Sequence, residues 1–214
     1  MSMNDDPAGK TGLNDPRVAY FDHHAPAWDQ TGPDPATTLR RLRELDGLLG
    51  FRPGLDVLEI GCGTGQITGW LAESVKPGKV VAMDFSPGML AQAKARGVPA
   101  DFLLKDICRE ETVARRFDVV LCFHSFPHFR DPAAALRQIA RYLKPGGHLL
   151  VMHLAGSAPL NAFHQKLGGA VGRDHLPPAA QWPELVCAAS LSVVESVDRE
   201  DLFLVRAVNI DLPR

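Results

Sequence analysis

Between residues 55 and 153 the chain alternates short, continuously apolar runs with segments of helical length. The runs cover 55–60, 79–84, 101–104, 117–122 and 149–153. A strand that is apolar on both faces needs cover on both faces, which predicts a mostly parallel sheet with helices above and below it. Two further runs, 192–197 and 202–208, are separated by only a few charged residues. That gap admits a hairpin but no crossover, so the sheet should end in an antiparallel pair.

Glycine and proline, 19 and 17 of 214 residues, punctuate this alternation. Asp34-Pro35 and Asp131-Pro132 each read as an N-cap followed by proline in the first turn, while Gly50 and Lys144-Pro145-Gly146-Gly147 read as helix stops. A helix is predicted over 17–29, where Val18, Tyr20, Phe21, Ala25 and Trp28 recur at roughly helical spacing, and a second one runs to Gly50. These cap segments, 17–50, precede the first strand of a single domain spanning 17–214. The polar stretch 1–16 is expected to be a disordered tail. Residues 154–190 interrupt the alternation as an insertion with helices near 159–167 and 179–189. Gly156, Gly168, Gly169, Gly172, Pro177 and Pro178 bracket it as an expected hinged lid over the acceptor side.

A net charge of −2 lacks the basic surface that a nucleic-acid binder needs. No stretch is long and apolar enough for a membrane span, and none resembles a signal peptide. Four dispersed cysteines without a C-x-x-C pair fit reduced thiols in a cytoplasmic protein.

The first apolar run enters Gly61-Cys62-Gly63-Thr64-Gly65 and a helix follows. Glycines at such a turn let the backbone approach a ligand without a Cβ in the way. A phosphate-binding P-loop would require Gly-Lys-Ser/Thr, and the dinucleotide fingerprint would require a third glycine where Gln66 stands. Glu59, just ahead of the loop, would repel a pyrophosphate and attract a cation. Asp84, ending the second strand, stands where a carboxylate accepts from ribose hydroxyls, and Asp106, after the third, could accept from an exocyclic amine. Three acids at successive strand ends describe a site for a cationic nucleoside without phosphates: S-adenosylmethionine.

In LEIGCGTGQIT (58–68), MDFSPGMLAQAKA (83–95), Lys105-Asp106, the run 117–151 and FDHHAPAWD (21–29), the chain resembles the class I S-adenosylmethionine-dependent methyltransferases, in particular the ubiquinone/menaquinone-biosynthesis branch. The resemblance implies a Rossmann-like seven-stranded α/β sheet in the order 3-2-1-4-5-7-6. It also implies Gly61, Gly63 and Gly65 against the methionine portion of the cofactor, with Glu59 fixing the loop. Asp84 would hold the ribose, Phe85 and Met89 would flank the adenine, and Asp106 and the Ile107 N–H would meet its polar edge. Phe123 and His124 would lie near the methionine amine, with Trp28 closing the site. Further cofactor contacts are expected from Tyr20, Cys62, Thr64 and Gln66, Cys62 as a small filler of the turn and not a nucleophile.

Methyl transfer is an in-line displacement, so the protein chiefly aligns the reactants and excludes water. A base is needed only where the acceptor must lose a proton. Six of the eight histidines fall near the strands' carboxyl edge or its covers: His23, His24, His124, His128, His153 and His164. The expected base is His153 or His124. His164 and Asn161, three apart on one helix face, would orient a small-molecule acceptor together with His24 and His128. Alternatives are a metal held by His124, His128, His153 and His164 with Asp174 or His175, a cofactor-binding protein without catalysis, and a nicotinamide enzyme disfavoured by Gln66 and Glu59. No compact metal motif supports the first, so no metal is expected. The chemical type of the acceptor atom and the oligomeric state are not legible.

Overall fold

The computed structural model describes residues 15–32, 34–110 and 114–210. At its centre β1 (Val57–Ile60) pairs in parallel with β2 (Val80–Asp84) on one side and β4 (Phe117–Phe123) on the other. Outside β2 lies β3 (Asp101–Leu104), a parallel edge strand that is exposed at both ends. Outside β4 lies β5 (Leu143–His153), followed by the antiparallel hairpin of β6 (Leu191–Arg199) and β7 (Leu202–Asn209), with β7 against β5. The sheet order is thus 3-2-1-4-5-7-6, as the resemblance implies.

Alternation along the central strands feeds two cores. Val120, Cys122, Leu149, Val151, Phe203 and Val205 pack on one face with Leu136, Ile139 and Trp182. Their neighbours Val119, Leu121, Leu150, Met152 and Leu204 pack on the other with Leu42, Leu71 and Val75. A period of two thus supplies an apolar side chain to each face at every step, as a doubly covered sheet requires.

The helices follow their caps. Asp15 accepts from Arg17 N and opens α1 (Pro16–His24), so the described chain is already ordered at the two residues expected to end the tail. Residues 1–14 of that expected tail lie outside the described residues. The continuous helix expected over 17–29 is interrupted: Pro26 lacks an N–H to donate, and a 3-10 turn at Ala25–Ala27 separates α1 from α2 (Trp28–Thr31). Asp34 accepts from Thr37 N to start α3 (Pro35–Glu44), and α4 (Asp46–Leu49) ends at Gly50 in the left-handed region, φ 69°. Next come α5 (Thr68–Val75), α6 (Pro87–Ala95) capped by Ser86, and α7 (Pro132–Tyr142) capped by Asp131. Lys144-Pro145-Gly146-Gly147 does more than stop α7. Leu143 already pairs with Phe117, and a register shift carries the chain past these four residues to His148 opposite Val119.

The insertion contains α8 (Ser157–Leu167) and α9 (Trp182–Cys187). Asp198 of β6 fastens it at two points, accepting from Ser157 N (2.9 Å), Ser157 Oγ (2.7 Å) and Ala179 N (3.1 Å). These bonds outweigh burial and hold the Asp198 carboxyl below its ordinary value of 3.8. Its contribution is therefore present above that value and lost as pH falls through the lower folded one. Replacing Asp198 with Ala is expected to cost about 1 kcal/mol in urea unfolding at pH 7 and to speed proteolysis within 154–190. The difference from wild type should vanish in strong acid.

Candidate active site

The carboxyl ends of β1, β2, β4 and β5 open into a cavity of about 1120 Å³. The turn after β1 shapes its floor. Gly61 (φ 72°) and Gly63 (φ 55°) are left-handed, and a Cβ on Gly61 would stand 2.3 Å from Ser125 Cβ. Gly61 N and Cys62 N both donate to Met83 O, at 2.7 and 3.0 Å, binding the loop to β2. At Gly63 nothing lies within 4 Å of where a Cβ would sit, so the loop offers bare backbone there. Gly65 serves otherwise: its missing Cβ admits Ala93 of α6, 3.1 Å from the vacant position, and it does not line the cavity.

Two carboxylates are buried beside this loop. Asp84 accepts from Gly63 N through Oδ2 (2.8 Å) and from Ser86 N through Oδ1 (2.9 Å). Burial outweighs these bonds and pushes its pKa up to about 6. Glu59, 2% exposed, accepts from Thr68 Oγ1 at 2.7 Å and has no cation beside it among the described residues. Burial raises its pKa to about 8, so without a ligand it is mostly protonated at neutral pH. Asp106 differs, being ion-paired with Arg130 and accepting from Cys108 N. Burial and the two carboxylates push the Cys62 thiol well above its ordinary value, which leaves it un-ionised.

Phe85, Met89, Ile107 and Phe123 line the apolar wall, and Tyr20 and Trp28 contribute from the cap. Phe21 joins the cap to that wall, its ring 5.7 Å from both Trp28 and Phe85. Two aspartates of the cap, to which the sequence reading gave no role, tie it down. Asp22 accepts from Ser86 Oγ (2.5 Å) and Gly88 N (2.8 Å) at the start of α6. Asp29 accepts from Thr64 Oγ1 (2.6 Å) and Gln66 Nε2 (2.9 Å) and pairs with Arg96. Both lie within FDHHAPAWD, and their position in that motif was the available signal.

His24, His124, His128, His153 and His164 all line the cavity. Asn161 does not. Its amide is spent on the backbone of Leu176, donating to the carbonyl at 2.9 Å and accepting from the N–H at 2.8 Å, so it holds the insertion together. His24 sits against Tyr20, its Nδ1 2.7 Å from Tyr20 O and the rings 4.3 Å apart. His124, strained at φ 54°, accepts from Leu154 N through Nε2 at 3.3 Å, and burial lowers its pKa to about 4. His153 is 1% exposed, and neither ring nitrogen has a hydrogen-bond partner among the described residues. Burial, with His124 5.0 Å away, keeps it well below its ordinary value. Rings that resist protonation are weak proton acceptors, so neither His124 nor His153 has the surroundings expected of a base.

His128 and His164 instead share Asp174, a residue of the insertion that is 8% exposed. Its carboxylate lies 2.6 Å from His128 Nδ1 and 3.3 Å from Arg17 Nη1, and its carbonyl 3.1 Å from His164 Nδ1. Among the described residues no group of three or more His, Cys, Asp or Glu is placed to hold a metal ion. No described helix is long and apolar enough to cross a membrane.

Residues 57–147 match the family described as a methyltransferase domain. The chain is 31% identical over 161 residues to a ubiquinone biosynthesis O-methyltransferase of Alkalilimnicola ehrlichii, covering 68% of this chain and 63% of that one. It is 34% identical over 163 residues to the biotin biosynthesis bifunctional protein BioCD of Bordetella avium, covering 75% and 34%. The chain thus spans from about a third to under two thirds of the length of the curated relatives it matches. In fold it is similar to the N-methyltransferase NodS of Bradyrhizobium japonicum, solved with S-adenosyl-L-homocysteine, at TM-score 0.68 and 20% identity over 92% of this chain and all of that one. The segment 57–147, which carries the glycine turn and the two buried strand-end carboxylates, thus matches the methyltransferase-domain family within a sheet of this order.

Proposed function

We propose that the chain transfers a methyl group from S-adenosylmethionine to a small-molecule acceptor held against the histidines of the cavity. The observation that carries the cofactor half is Glu59: a buried carboxylate with no cation beside it, next to a turn left open at Gly63. Such a group is costly to ionise alone and is relieved by a positively charged ligand. Asp84 retains unused lone pairs for hydroxyl donors, and Phe85, Met89 and Ile107 offer an apolar slot for a ring. When bound there, the cofactor supplies a methyl group activated by its sulfonium. The chain's own part is to fix it through the loop and Asp84, to shut out water with the cap, and to position the acceptor.

For the acceptor half, His153 presents two buried nitrogens without partners beside the cavity, a cost that a bound polar molecule would offset. His124 and His164 complete a polar patch among the apolar side chains Phe129, Leu160 and Phe163. The relatives' names, which include a ubiquinone biosynthesis O-methyltransferase, a trans-aconitate 2-methyltransferase and a phosphoethanolamine N-methyltransferase, support an acceptor of small-molecule size. The net charge of −2 supports the same over nucleic acid. Three buried free thiols fit a reducing, cytoplasmic setting.

Binding of S-adenosylhomocysteine by calorimetry tests the cofactor half, and its absence would remove this reading. Because the ligand's ammonium favours ionised Glu59, binding at pH 7 should release a proton, and affinity should rise toward pH 8. E59Q should abolish the proton release and weaken binding by about tenfold. The folded pKa of Glu59 lies above its unfolded one, so the side chain destabilises the ligand-free protein as pH rises from about 4.5 to 8. E59Q should therefore raise the melting temperature at pH 8. For the acceptor half, H153F keeps a ring but removes both orphaned nitrogens. It should stabilise the ligand-free fold by about 1 kcal/mol and bind S-adenosylhomocysteine normally while losing methyl transfer.

A further inference from the structure

Asp174 addresses both of its histidines through Nδ1. The carbonyl contact requires His164 Nδ1 to donate, because a carbonyl only accepts. The ionised carboxylate asks the same of His128 Nδ1, at 2.6 Å. With Nδ1 committed as donor, the neutral His128 ring is left with an unprotonated Nε2, which has no protein partner among the described residues and belongs to a side chain lining the cavity. Arg17, whose Nε donates to Asp15 at 3.0 Å, holds the far side of the Asp174 carboxylate through Nη1 at 3.3 Å. The result is an acid that orients an imidazole by its inner nitrogen and stabilises the imidazolium formed when the outer one takes a proton. Phe21 packs edge-on to the His128 ring at 5.1 Å and keeps it from swinging away.

We infer that His128 is the catalytic base for an acceptor whose attacking atom carries a dissociable proton, and that Asp174, braced by Arg17, is its positioning residue. This rests on the methyl-transfer reading above. The acceptor's lone pair forms the new bond to the methyl carbon while the C–S bond breaks and its electron pair stays on sulfur. The acceptor's proton passes to His128 Nε2 and from there to solvent. Neutral His124 and His153, which burial keeps unprotonated, hydrogen-bond the acceptor without competing for that proton.

Three measurements test this. Long-range proton–nitrogen NMR on the neutral ring should show His128 protonated at Nδ1 in wild-type protein and a mixture of tautomers in D174N. An Nε2-protonated His128 in wild type, or an unchanged spectrum in D174N, overturns the assignment. Methyl transfer to phenol, protonated at pH 8, and to thiophenol, ionised there, provides the kinetic arm. H128Q should lose about 10²-fold in kcat on phenol with KM little changed, and only a few-fold on thiophenol. Equal losses on both probes overturn the base role. S-adenosylhomocysteine binding by H128Q and D174N should match wild type, which shows that the variants fold. Failure of wild type to bind it would instead strike the methyl-transfer reading itself.

Discussion

Two carboxylates buried at the ends of adjacent central strands set the terms for this structure. Glu59 and Asp84 are 2% and 5% exposed, on strands whose other buried side chains are apolar. An ionised group taken out of water must be matched by donors or by opposite charge. For Asp84 the match is internal: the N–H groups of Gly63 and Ser86 close on it. The glycine turn after β1 and the turn after β2 are thereby held in register through one side chain. For Glu59 the match is a single hydroxyl, and its charge is left wanting.

The rest of the cavity is assembled around that floor by pieces from distant parts of the sequence. The cap reaches these turns through two carboxylates: Asp22 accepts from Ser86 and Gly88 at the start of α6, and Asp29 accepts from Thr64 and Gln66 in the turn ahead of α5. From the opposite side the insertion brings α8 and Asp174, and Asp198 anchors it to β6. Cap and insertion meet at Arg17 and Asp174.

The sheet was readable because its grammar is local. Uniformly apolar runs, proline after an N-cap aspartate and glycine at helix ends each act within a few residues, and together they place six of seven strand centres and the antiparallel end. The misplacements come from tertiary effects. The sequence at 144–147 stops a helix, yet Leu143 beside it is held in the sheet by Phe117, which no local pattern announces. The residues expected on the cofactor side mostly follow their strands directly, and all but Gly65 line the cavity. On the acceptor side the histidines could be listed but not ranked. Which of them is orphaned, strained or paired with a carboxylate depends on the insertion, where Asn161 turned inward to Leu176 and Asp174 turned outward to His128. No spacing rule links residues 17, 128 and 174.

The contact between Arg17 and Asp174 has a mechanical consequence. One helix, α1, carries both Asp22, which holds the cap to α6, and Arg17, which braces Asp174, so α1 cannot lift as a unit without breaking the Asp22 bonds and the Arg17 brace together. In the proposed methyl transfer, any opening of the cap along α1 would also loosen the brace behind His128.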